Sequence, residues 1–124
     1  MEPSTALVAL VGVSNLDRAT EFYGRTLGLQ LADERPFALV ARVRGTTLRI
    51  TEVPSVVPAP YTVLGFVVAD IAAAVDRLAA RGVAFARYDG MGQDERGIWT
   101  APGGARIAWF PDPDANLLSL TQLP

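Results

Sequence analysis

Two kinds of apolar pattern alternate along the chain, and their order repeats. Leu7 to Val13 (LVALVGV) is a β-rich run. Beyond Ser14, the residues Leu16, Ala19, Phe22, Tyr23 and Leu27 recur at helical spacing, with Asn15 placed as N-cap and Gly28 as the C-terminal stop. Tyr61 to Val68 (YTVLGFVV) begins the same order again. Asp70 is the second N-cap, Ile71, Ala74, Val75 and Leu78 form the stripe, and Gly82 closes it.

After each glycine the pattern returns to strands. In the first half these are expected at Leu29 to Asp33, Phe37 to Arg44 and Thr46 to Val53, the last two joined by a hairpin across Arg44-Gly45. In the second half they are expected at Val83 to Tyr88, Ile98 to Ala101 with Arg106 to Phe110, and Asn116 to Gln122. Each half therefore reads βαβββ. Val53 to Pro60 (VPSVVPAP) carries three prolines and suits an extended joint, dividing a module of about residues 1–55 from one of about 60–124. Modules this small bury too little apolar surface alone, so a shared core or an exchange across a homodimer is expected. The fold class is α+β: two βαβββ modules whose curved mixed sheet forms a cup, with the helices on its outer face.

Composition narrows the chemistry. The 124 residues hold no Cys and no His, and every one of the 11 basic residues is Arg. That removes thiolate nucleophiles, the commonest metal ligand, the side chain that titrates near neutrality, and lysine Schiff bases. A formal charge of -2 with interspersed signs offers no basic stripe for nucleic acid. No apolar run is long enough for a membrane span, and MEPSTALVAL lacks the features of a signal peptide, so a cytoplasmic location is expected.

Three stretches, VSNLDRATEFYGRTLGLQL (13–31), FVVADIAAAVDRLAARGVAF (66–85) and FPDPDANLLSL (110–120), come in paired order and cover nearly the whole chain. In this the sequence resembles the vicinal oxygen chelate superfamily, which includes glyoxalase I, extradiol dioxygenases and bleomycin-resistance proteins. The resemblance implies that metal-dependent members take ligands from the first strand of each half and a Glu from the last strand of each half. Those places fall here on Val8, Val63, Arg49 and Ser119. None is a serviceable metal ligand, so the resemblance is to a metal-free member and no cofactor is expected. Ala115 also departs from the pattern, standing where the family has Gly in a DPDGN-like turn; either it adopts a positive φ at a cost of about 1 kcal/mol or the turn is of another type.

Period-two alternation sends Leu48 and Ile50, and likewise Leu118 and Leu120, toward the helices, and turns Arg49 and Ser119 into the cup. Arg49 is either an exposed strand arginine paired to Glu52 or another acid, or an anchor for an anionic ligand. The aromatics are either core or stacking surface. Phe66 shares parity with Leu64 and Val68 and belongs to the core, whereas Trp99, beside the glycine-rich stretch 89–97 (DGMGQDERG), is the preferred stacking residue. Parity leaves open which face of Arg106 to Phe110 carries Trp109 inward. The candidate ligand-binding set is Arg49, Ser119, Thr47, Thr51, Trp99, Trp109, Phe37, Val8 and Val63.

The leading expectation is a metal-independent small-molecule binding protein of the drug-sequestering, antibiotic-resistance kind, a homodimer taking an aromatic or anionic ligand. The alternative is a metal-free isomerase or lyase with Glu52 or Asp33 as base and Arg49 holding the oxyanion. Parity turns Glu52 away from Arg49's face. A third possibility is a partner-binding module with a filled cup.

Overall fold

Both helices begin where a side-chain acceptor can take an orphan amide. Asn15 Oδ1 accepts from the Arg18 N–H at 2.9 Å, and Asp70 Oδ1 accepts from the Ala73 N–H at 3.1 Å. The computed structural model describes residues 1–124 and divides them into two units, Met1–Val57 and Pro58–Pro124.

In the first unit, β1 (Val8–Val13) leads into α1, which is α-helical over Leu16–Ala19 and continues as a π-helical segment over Thr20–Thr26. β2 (Leu31–Glu34), β3 (Ala38–Val43) and β4 (Thr46–Glu52) complete a sheet of order β1-β4-β3-β2, in which β1 runs parallel to β4. One face of this sheet is the core: Val11, Val13, Leu39, Ala41, Leu48 and Ile50 are buried together with Leu16, Ala19 and Tyr23. The expected hairpin is present. Arg44 and Gly45 have φ of 47° and 86°, the paired positive values of the tight turn that matches strand twist.

The wide helical turn departs from the simple 3.6-residue pattern. Thr20 Oγ1 donates to the Leu16 carbonyl at 2.8 Å, and the Leu27 N–H reaches the Phe22 carbonyl, five residues back, at 2.9 Å. The adjacent rings of Phe22 and Tyr23 meet edge to face at 5.1 Å, and Tyr23 is fully buried.

The second unit repeats the plan. β5 (Leu64–Val67), α2 (Ile71–Ala80), β6 (Trp99–Thr100), β7 (Arg106–Pro111) and β8 (Leu117–Gln122) give the order β5-β8-β7-β6, with β5 parallel to β8. Ala108, Phe110, Leu118 and Leu120 are buried, as are Ile71, Ala74, Val75 and Leu78 of α2. The repetition extends to a detail the sequence reading did not foresee. The residue four beyond Leu48 is Glu52, which accepts from the Leu16 N–H at 3.1 Å; the residue four beyond Leu118 is Gln122, which accepts from the Ile71 N–H at 2.9 Å.

One expected strand is absent. Val83 to Tyr88 contributes a single backbone bond to β7, from the Ala86 N–H to the Trp109 carbonyl at 2.8 Å. The Gln93 amide takes the place of a neighbouring strand: it accepts from the Tyr88 N–H at 2.7 Å and donates to the carbonyls of Ala86 at 3.0 Å and Gly97 at 2.8 Å. The edge position falls instead to the short β6. Ala115 resolves to the first of its two alternatives, with φ of 66°. Its turn is held by buried Asp112, whose carboxylate accepts from the Asp114 and Asn116 amides and from Asn116 Nδ2.

Candidate functional site

Each sheet buries one face under its helix and leaves the other uncovered, so the side chains available for chemistry follow from strand register. In the first unit, Val8, Thr47 and Arg42 stand side by side on β1, β4 and β3, and the next row is Leu10, Arg49, Val40 and Ala32. Thr51, beside Gly12, continues the same face. Arg49, Thr47, Thr51 and Val8 thus share one face. Arg49 is half-buried and has no carboxylate partner. Glu52, the acid considered for it, lies on the helix face in register with Val13 and is engaged by the Leu16 amide. A depression of about 410 Å³ on the Arg49 face is lined by Gln30, Ala32, Glu34, Val40, Arg42 and Thr47. Phe37 stands on the turn between β2 and β3, 73% exposed and outside these rows.

In the second unit, register decides what parity left open. Ser119 of β8 lies between Gly65 of β5 and Trp109 of β7, so Trp109 shares the Ser119 face, opposite Phe110 and Ala108. Trp99 pairs with Ile107 and occupies that face too. The rings of Trp99 and Trp109 lie 6.1 Å apart with an interplanar angle of 34°, and Tyr88 meets Trp109 edge to face at 5.7 Å. Ser119 itself is only 6% exposed, and a Cβ added at Gly65 would come within 2.9 Å of its Oγ. Val63, 36% exposed, lies two residues before Gly65. Tyr88 and Arg42 were not singled out from sequence. Tyr88 closes a segment that reads as a strand, and Arg42 shows only as a polar residue alternating with Ala41 and Val43.

These side chains do not suit a metal. On the first unit's face the ligand places hold Val8 and Arg49, on the second's Val63 and Ser119, a set with one neutral hydroxyl and one fixed cation. No group of three His, Cys, Asp or Glu side chains in the chain is arranged to hold an ion. The carboxylate on the Arg49 face is Glu34, which lines the depression with Arg42 and Thr47; the two acids considered as bases lie elsewhere. Asp33 pairs with Leu39 on the helix face and holds Arg35 Nε at 3.1 Å, while Glu52 caps α1. Arg35 also binds Asp17, a hydrogen bond that raises its pKa above the ordinary arginine value. Together with Asn15, Leu16, Pro36 and Glu52, Arg35 and Asp17 line a separate hollow of about 230 Å³ at the start of α1.

No helix is long and apolar enough to cross a membrane. No curated protein matches the sequence. Among solved structures, the chain is similar to TnmS3, an antibiotic binding protein from Streptomyces sp. CB03234, at 30% identity over 100% of this chain and 99% of that one, with a TM-score of 0.75. It is similar at 25% identity to a superfamily member from Sphaerobacter thermophilus DSM 20745, over 96% and 97% of the two chains and with a TM-score of 0.74. Oxidase ChaP-H2 shares the fold at 18% identity, covering 99% and 96% with a TM-score of 0.75. The family model matches residues 6–120, and the chain belongs to the Glyoxalase/Bleomycin resistance protein/Dioxygenase superfamily.

Proposed function

We propose that this protein is a metal-independent small-molecule binding protein that sequesters an aromatic, acid-bearing drug or metabolite. The observation that carries the reading is the Tyr88–Trp109–Trp99 cluster on the uncovered face of β7. Two half-buried indoles and a phenol set edge-on offer π surface at little ordering cost. The likeness to an antibiotic binding protein at 30% identity supports it. In this reading Trp99, Trp109, Val63 and the edge of Ser119 contact the ring system on the second unit's face; on the first unit's face Arg49, Thr47 and Thr51 offer polar anchors beside apolar Val8, and Phe37 is peripheral.

A cytoplasmic homodimer is part of the proposal. Val8 and Leu10 on edge strand β1, and Val67 on edge strand β5, are 55%, 67% and 67% exposed, more apolar surface than lone edges ordinarily leave to water.

The test is tryptophan fluorescence over a panel of planar antibiotics, flavonoids and aromatic acids. Saturable quenching is expected for at least one class, weakened tenfold or more in Trp109→Leu and unchanged in Arg25→Ala, which alters only an exposed pair with Glu21. A panel that produces no saturable quenching overturns the reading.

A further inference from the structure

Four arginines of this chain have identified acid partners: Arg25 with Glu21, Arg35 with Asp17 and Asp33, Arg96 with Asp76 and Glu95, and Arg106 with Asp94. Arg42 and Arg49 have none, although both stand on the uncovered face of the first sheet. Arg42 is opposite Thr47, and Arg49 lies two residues further along β4, so the two arginines are diagonal neighbours at a spacing of about 7–8 Å. Like charges so placed disfavour each other unless an anion lies between them. Each guanidinium is a planar fork on a long stem and can turn two donors onto one pair of oxygens. The Thr47 hydroxyl, half-buried between them, adds a third donating group.

We infer that Arg42, Thr47 and Arg49 form a seat for one carboxylate, and that the ligand's carbon frame continues over Val40 and Ala32 into the adjoining depression. The inference rests on the proposed binding function and specifies the ligand's class. At the far end of the depression Glu34 is in register with Ala38, four residues from Arg42 along β3, or about 13 Å at the rise of a strand. A second acid there would meet a carboxylate and be repelled; a hydroxyl or amine would be accepted. The ligand class is therefore a monocarboxylic acid with an apolar middle and a neutral or donor group at its other end.

The experiment compares 2-naphthoate with its methyl ester on the full chain, following arginine Nε–Hε and tryptophan indole signals by NMR. The acid is expected to shift Arg42 and Arg49 and to bind at least tenfold more tightly than the ester. That preference should disappear in Arg42→Gln and in Arg49→Gln, weaken in Arg49→Lys, which keeps the charge and loses the fork, and persist in Arg44→Gln. Equal binding of acid and ester, or a preference that survives Arg42→Gln, overturns the seat. If the ester still moves Trp99 and Trp109 while the acid gains nothing, the seat falls and the aromatic-face reading stands. If the acid preference is intact while both indoles stay silent, the seat stands and the aromatic-face reading falls.

Discussion

Ala115 sits at φ of 66°, in the region where a Cβ crowds the backbone, in a turn otherwise held by the Asp112 carboxylate. Replacing it with glycine removes that strain without removing a contact that the turn uses. Ala115→Gly should therefore stabilise the chain by about 1 kcal/mol, offset in part by the extra freedom glycine gives the unfolded state. Urea denaturation with an unchanged m-value and a raised midpoint would show it; a lowered midpoint would mean that the Ala115 methyl packs usefully. At this scale the strand faces of several candidate residues were legible. Arg49, Thr47 and Thr51 lie opposite Leu48 and Ile50 because β4 is regular and period two then fixes the face. The seat of Ser119 was legible for the same reason. Its depth was not, since it depends on Gly65 and Trp109 standing in register beside it, and one strand's parity carries no information about its neighbours' positions.

Elements were legible where the backbone satisfies itself or where a side chain caps it at a position with a sequence signature, and illegible where a side chain without one stands in for a strand. Both helix starts followed from Asn15 and Asp70, and the Arg44-Gly45 turn from its glycine. Val83 to Tyr88 alternates like a strand but is pinned by Gln93, a residue whose amide has no periodic signature. This substitution matters to the candidate site because the pinned segment ends in Tyr88, the ring that meets Trp109 edge-on. Gln93→Leu deletes three hydrogen bonds and leaves partly covered backbone groups unpaired, a cost on the order of 1–3 kcal/mol. Amide exchange should accelerate at Tyr88, whose N–H loses its acceptor, while Ala86, bonded to the Trp109 carbonyl, should change less. Quenching of Trp109 by an aromatic ligand should weaken in parallel. Unaltered exchange at Tyr88 would show that the segment is held by something other than Gln93.

For the whole chain, the βαβββ order was legible because it repeats: two N-caps, two glycine stops and two closing strands agree with one another, and the structure adds Glu52 and Gln122 as matched acceptors at the helix starts. The family follows from the same repetition, and the family does not decide the activity, since one scaffold carries an antibiotic binding protein and an oxidase. What decides it is the chemistry of the uncovered faces. Val8 and Arg49 in one unit, and Val63 and Ser119 in the other, cannot bind a divalent ion through an aliphatic chain, a guanidinium or a single shielded hydroxyl. A ligand that binds only the native state raises stability in proportion to the logarithm of its occupancy. Millimolar zinc, nickel, manganese or ferrous iron should therefore leave the unfolding midpoint unchanged, and exhaustive EDTA dialysis should alter neither that midpoint nor the binding of an aromatic acid. Stoichiometric metal retained through purification, together with a fall in midpoint on chelation, would show that the chain recruits donors outside these four positions and would return metal-assisted catalysis to consideration.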